Sequence, residues 1–252
     1  MLALERHRQM LDLLKKHGSV RTTEVAKTLG VTEETVRRDF EKLEAEGMLM
    51  RSHGGAVRLE AQRREFPVRE RAVQNAGAKI QIARAAVAKI REGQTIFFDP
   101  STTVQHLAEA LPDIPLTVVT NSLQIANLLA DKPAVHVVLL GGNLMSSSLS
   151  CTGWAAEQTL NLYRIDSAFV SCRGIDPERG LSEASEEQAR LKHRVVEGAE
   201  SVYLLADSSK SGVASSYFYS QNSAVDVWIT NEKPSPALEA AVTAQGVRIE
   251  LA

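Results

Sequence analysis

The sequence predicts an α/β protein in two parts: a winged helix-turn-helix over residues 1–59, a connector over 60–72, and a larger, mostly parallel α/β domain over 73–252. Three observations predict it. Short amphipathic segments punctuated by glycine fill the first part, a basic, proline-bearing stretch follows, and from Val73 onward apolar runs of strand length alternate with helical patterns. A chain of 252 residues has room for one large or two ordinary domains.

In the first part, Leu4, Met10, Leu11 and Leu14 recur at helical spacing before Gly18, which stands where a helix ends. Thr22 is a candidate N-cap for a second helix carrying Val25, Ala26 and Leu29 and stopped by Gly30, with Val31 as a buried hinge. Thr32 caps a third helix. There Val36, Phe40 and Leu43 share one stripe, so at 100° per residue Arg38 points away from it, Glu34, Thr35 and Lys42 lie on the outer half, and Arg37 lies on a flank. After Gly47, Met48–Arg51 and Ala56–Leu59 read as two short strands around Ser52-His53-Gly54-Gly55, a wing. Arginines at the start of the third helix fit its role, because only the front of a recognition helix enters the major groove deeply. Taken alone, an exposed Arg pair is usually just a solvated face; three helices, a basic start and a glycine-turned wing together favour double-stranded DNA as the partner.

Charge supports a division between the parts. Residues 1–58 hold 11 Lys+Arg against 9 Asp+Glu, leaving 18 against 22 for the remainder. The connector, EAQRREFPVRERA, has four arginines and Pro67 and reads as exposed, with phosphate contact by Arg63 and Arg64 a weaker alternative.

In the larger domain the strands read as Thr95–Asp99, Leu116–Thr120, Val135–Leu140, Ser167–Cys172, Val202–Ala206, Val225–Thr230 and Val247–Leu251. Their unbroken apolar character is that of strands covered on both faces. Helices read as Val104–Leu111, Leu123–Leu129, Gln188–Glu197 and Pro236–Ala244, with an Ala/Ile-rich helical segment before Gly93. Polar clusters follow five strands: Asp99–Thr103, Asn121-Ser122, Gly141-Gly142, Arg173-Gly174 and Asp207–Lys210. Ligands of open α/β sheets bind beyond the carboxyl ends of the strands, where helix N-termini favour anions. Hydroxyls, small residues and a lysine suit a phosphate, and carboxylates and amides suit a polyol, so a phosphorylated sugar fits both. Each cluster alone has a duller role as cap, turn or surface charge.

The segments Thr32–Glu44 and Arg51–Ala56, with their TVRRD and HGGA cores, closely resemble the N-terminal signature of the DeoR family of bacterial transcriptional regulators. The resemblance spans residues 5–58 and implies DNA contacts by Thr35, Arg37 and Arg38, beside the capping Thr32, and a wing brought by His53 and Gly54 against the DNA backbone or minor groove. The larger domain is similar to the family's effector domain, which resembles the ribose-5-phosphate isomerase and glucosamine-6-phosphate deaminase fold. The resemblance implies an effector, a sugar phosphate or related metabolite, held by Asp99, Ser101, Thr102, Thr103, Asn121, Ser122, Gly141 and Gly142, with Lys210 meeting the anion and Glu183 and Lys192 lesser candidates. Pro100-Ser101 depart from the family's small residue and glycine there; proline offers no N–H and serine enters positive φ less freely.

Composition narrows the alternatives. Apolar residues at 44% and charged residues at 24% are those of a folded globular chain, and no apolar run approaches the ~18 residues of a membrane span. The charged start MLALERHRQM does not read as a signal peptide, which predicts a cytoplasmic protein with no membrane partner. Two cysteines without a Cys/His cluster predict neither a disulfide framework nor a metal, and no cofactor is expected. The expected function is a sequence-specific repressor of carbohydrate-metabolism genes, relieved by its effector and working as a dimer or tetramer, since one winged helix buries too little surface for tight specific binding. The alternative is a sugar-phosphate isomerase or deaminase carrying a DNA module, with Asp99, Glu183 and Asp207 as its acids and no paired base evident. A structural nucleic-acid protein is disfavoured by the acidic larger domain.

Overall fold

A computed structural model describes residues 3–17, 19–46, 48–52, 54–57 and 66–252. Gly18, Gly47, His53, Arg63, Arg64 and the junction expected near residues 59 and 60 lie outside the described residues. The chain divides into two compact units, 1–64 and 65–252.

The first unit holds helices α1 (Ala3–His17), α2 (Thr22–Leu29) and α3 (Glu33–Ala45) and a sheet of β1 (Ser19–Arg21), β2 (Met50–Ser52) and β3 (Gly55–Val57), in the order β1-β3-β2. Both pairings are antiparallel. Met10, Leu14, Val25, Leu29, Val36, Phe40, Leu43 and Leu49 form its core. Leu4, expected on the buried stripe, is exposed, one turn beyond the core's reach. Thr22 is not the cap of α2: Arg21 holds that position without a side-chain bond, and Thr22 is the first helical residue and buried. Gly30 ends α2 at φ +64, a conformation that favours glycine, and donates its N–H to Ala26 O. Thr32 does cap α3, its hydroxyl accepting from Thr35 N.

The second unit is built on seven parallel strands: β4 (Thr95–Phe98), β5 (Leu116–Thr120), β6 (Val135–Leu139), β9 (Ile165–Val170), β12 (Ala199–Leu205), β14 (Val227–Thr230) and β15 (Arg248–Leu251), ordered β15-β14-β12-β9-β4-β5-β6. These are the seven runs read from the sequence, their ends shifted by up to three residues. Both faces are covered. Phe97 enters one core with α8 (Trp154–Leu160), α9 (Glu186–Gly198) and α10 (Pro236–Ala244), while Ile96 and Phe98 enter the other with α5 (Ala76–Val87), α6 (Thr102–Ala110) and α7 (Leu123–Leu129). The edge strands β6 and β15 break the buried pattern, as does the start of β12, where Glu200 is exposed.

Strand β1 and helix α8 went unread, and so did three further features. A hairpin of β7 (Asn143–Met145) and β8 (Ser150–Thr152) and a sheet of β10 (Gly174–Asp176), β11 (Gly180–Glu183) and β13 (Tyr217–Ser220) accompany the main sheet. Residues 68–72, assigned to the connector, belong instead to helix α4 (Val68–Val73), whose Val68 is buried in the second unit. None of the described helices is long and apolar enough to cross a membrane.

Candidate functional site

The chain runs from β4 outward through β5 and β6, then returns to place β9, β12, β14 and β15 on the other side of β4. Strand order therefore reverses between β4 and β9. Loops leaving neighbouring strands in opposite directions open a crevice there. A cleft sits at that point, lined by Pro100–Thr103 after β4, Ser171–Arg173 after β9, and Asp207, Ser209 and Lys210 after β12. Arg71, Gln74, Asn75 and Lys79 close it from α4 and α5, and Glu183, Gln188 and Lys192 from β11 and α9.

At the floor lies a buried ion cluster. Lys192 falls on the buried stripe of α9, with Gln188, Leu191 and Val195. Its Nζ stands 2.8 Å from Asp99 Oδ2 and donates to Glu183 Oε1 at 2.5 Å and Ser171 O at 2.7 Å. Burial alone would lower its pKa, but the two carboxylates outweigh that and hold it above the ordinary lysine range. Asp99 accepts further bonds from Ser101 N and Ser171 N, joining the loops after β4 and β9.

Beside it is a cationic group of Arg71, Lys79, Arg173 and Lys210. Burial and the charge of Lys210 draw the pKa of Lys79 down to about 8, with Arg71 and Arg173 adding to the effect and Asp207 opposing it. Burial likewise lowers Lys210, against the pull of Asp207. The Asp207 carboxyl, which burial would raise, is held below its usual range by Lys210 and the bonds from Ser209.

Of the residues expected to hold an effector, Ser101, Thr102, Thr103, Glu183 and Lys210 line the cleft, and Asp99 lies fully buried beneath it. Ser101 is extended at φ −82 and its hydroxyl accepts from Val104 N as the cap of α6. The Pro100-Ser101 departure thus needs no positive φ and leaves the start of α6 facing the cleft. Asn121, Ser122, Gly141 and Gly142 are not among the lining residues. They follow β5 and β6, one and two strands from the reversal. Ser122 caps α7, Asn121 donates to Cys151 O, and a side chain at Gly142 would place its Cβ 2.4 Å from Thr152 O. Arg71, Asn75, Lys79, Arg173 and Gln188 were missed as site residues. Only Arg173 carried a signal, its place after a strand.

In the first unit, Arg37 and Arg38 project from α3 with side chains 55% and 73% exposed, each meeting a glutamate one turn earlier: Glu33 at 3.4 Å and Glu34 at 3.3 Å. Thr32 and Thr35 share a hydroxyl contact of 2.8 Å at the front of the same helix. Gly54 is exposed at φ +86 and its carbonyl accepts from Thr22 N, while at Gly55 a Cβ would sit 2.0 Å from Val20 O. That pins the wing's turn to β1. Asp39, between the arginines and the core, accepts from Arg6 Nε at 2.5 Å and lies 2.9 Å from His7 Nε2, tying α3 to α1.

Comparison with known proteins shows where this pairing of units occurs. Residues 6–62 match the model of a DeoR-like helix-turn-helix domain, and residues 74–232 that of a DeoR C terminal sensor domain. The chain belongs to the DeoR family. This DeoR-family chain is 42% identical over 212 residues to the uncharacterized HTH-type transcriptional regulator YulB of Bacillus subtilis, covering 84% of this chain and 82% of that one. It is 31% identical over the full length of both chains to the glycerol-3-phosphate regulon repressor of Escherichia coli. Among solved structures it is similar to ribose 5-phosphate isomerase A from Methanocaldococcus jannaschii, with TM-score 0.41 and 17% identity over 54% of this chain and 55% of that one. The DeoR-family helix-turn-helix unit makes the protein a DNA-binding transcriptional regulator.

Proposed function

We propose that the protein represses carbohydrate-metabolism genes and leaves its operator when a phosphorylated sugar or related polyol phosphate occupies the cleft. The observation that carries this is the cleft's charge. Arg71, Lys79, Arg173, Lys192 and Lys210 face it against Glu183 and Asp207, with Asp99 just beneath. Five positive charges against three negative leave an excess of two, the complement of a phosphate dianion. Glu183 and Gln188, beside that group, offer acceptors and an amide to sugar hydroxyls. The name of the glycerol-3-phosphate repressor among the relatives supports a ligand of this kind.

On the DNA, Thr35, Arg37 and Arg38 read base edges or phosphates, Thr32 orders the front of the helix, and the turn holding His53 and Gly54 approaches the backbone. The chain acts as a dimer or larger assembly on repeated half-sites. Ligand occupancy lowers operator affinity by favouring a state that binds DNA less well. The candidate acids Asp99 and Glu183 are both bonded to Lys192, and Asp207 to Asn75 and Ser209, which supports a sensing rather than a catalytic cleft.

A thermal-shift screen of the full chain against sugar phosphates and their unphosphorylated sugars tests the reading. A ligand at a hundredfold its Kd adds about 2.7 kcal/mol of stability. Stabilisation only by phosphorylated compounds, lost in Lys210→Ala, is expected; stabilisation by neutral sugars alone, or turnover of a sugar phosphate at enzymatic rates, overturns it.

A further inference from the structure

The first described segment of the sensor unit, after residues 58–65, doubles as a wall of the cleft. Phe66 and Pro67 lead into α4, whose Arg71 lines the cleft with Gln74 and Asn75 just beyond it. Apolar burial holds this segment only lightly: within α4, Val68 is buried and Val73 is exposed. Polar fastenings do the rest. Val68 N donates to Ser147 O at 2.7 Å, Lys79 Nζ to Arg71 O at 2.5 Å, and Asn75, at φ +52, gives its amide to Asp207 Oδ1 at 3.0 Å and Ser209 Oγ at 3.2 Å. The Arg173 guanidinium lies 5.2 Å from the centre of the Phe66 ring. Apart from the Ser147 bond, every one of these attachments ends on a residue that lines the cleft.

We propose that this segment transmits the ligand's presence: an anion among Arg71, Lys79, Arg173 and Lys210 clamps α4 onto the sensor and fixes Phe66, from which the chain runs to the DNA-binding unit. Without the anion, Arg71, Lys79, Arg173 and Lys210 line one cleft with Asp207 and Glu183 offsetting only part of their repulsion, and the remainder loosens the clasp. Occupancy thereby distinguishes two states of the segment, which is what a ligand needs in order to shift an equilibrium. The inference rests on the reading of the cleft as an anion site.

Hydrogen exchange of the full chain, with and without inorganic phosphate and separately glucose 6-phosphate, tests it. Amides of residues 66–75 should exchange about tenfold more slowly with ligand, together with those of 100–103 and 208–210, because local opening sets the exchange rate. Protection of the two loops with no change in 66–75 overturns the transmission and leaves the anion site standing; no protection anywhere removes the anion site and this inference with it. Val68→Ala, which loosens the segment without touching the cleft lining, should keep the protection at 208–210 and lose most of that at 66–75. Equal protection in the variant and the parent at both places contradicts the clasp.

Discussion

Arg37 and Arg38 stand on α3 more than half exposed, each facing one glutamate at 3.3 to 3.4 Å, whereas Lys192 lies in the sensor with three oxygens within 2.8 Å. Both places concentrate charge, but to different ends. Exposed i,i+4 pairs contribute a few tenths of a kcal/mol, so phosphate or a base can take the arginines from their glutamates at little cost. Buried, fully bonded ions hold a geometry, and their value appears when a partner is removed. An adaptable face suits a surface that must find DNA; a fixed one suits a cleft that discriminates among small molecules.

The largest test of this contrast is Lys192→Met, which takes from the buried Asp99 and the half-buried Glu183 the lysine that both are paired with. It should cost about 3 to 5 kcal/mol in denaturant unfolding of the sensor unit; a loss below 1 kcal/mol would make the cluster as expendable as the surface pairs.

Asp39 is the first unit's exception, a buried carboxylate among exposed charges. Burial would raise its pKa, but the bonds from Arg6 and His7 outweigh burial and hold it below the ordinary range. Asp39→Asn should destabilise that unit by about 1 to 3 kcal/mol. Because the folded pKa is depressed, the stabilisation is present above the unfolded carboxyl pKa and fades as pH falls through the folded value. A variant that loses nothing at neutral pH, or a parent whose first unit keeps its full stability through that acid range, sets the tie aside.

Arg38→Ala should cost about 1 to 3 kcal/mol at the operator while leaving stability unchanged, and relax base preference at one position if it reads a guanine. An equal loss on random duplexes assigns it to phosphate.

The smallest expected effect belongs to Lys79. With its pKa near 8, the cleft loses one positive charge as pH rises through that value, while a sugar phosphate stays dianionic. Affinity for a bound sugar phosphate should fall roughly threefold to tenfold across that window. Binding near pH 8 should also take up protons, because the anion raises the lysine's pKa. Calorimetry in buffers of different ionisation enthalpy measures the uptake; release of protons instead contradicts the placement of Lys79 beside the anion.

Legibility followed physical scale. The seven sheet strands were readable because both faces are covered, so each run is apolar throughout, and the caps Thr32, Ser101 and Ser122 were readable because capping is local. The hairpin at Asn143–Thr152 and the sheet built on Gly174–Asp176 were not, since their strands are only three or four residues long, and one pairing, that of β11 with β13, joins Leu181 to the distant Ser220. The cleft was half legible. Residues after β4 and β12 were expected, but Asn121 and Gly142 sit one and two strands from the reversal, and only strand order reveals where that reversal falls. Arg71 and Lys79 come to the cleft through α4 and the left-handed turn at Asn75, which no periodicity in that stretch announces.

Footprinting of the full-length chain on DNA recovered by selection from random duplexes, titrated with sugar phosphates and with the same sugars unphosphorylated, measures the central claim directly. A protected segment that opens with a phosphorylated compound, and stays protected with it in Lys210→Ala, is the predicted result. A segment indifferent to every phosphorylated compound, or no protected segment at all, contradicts the account.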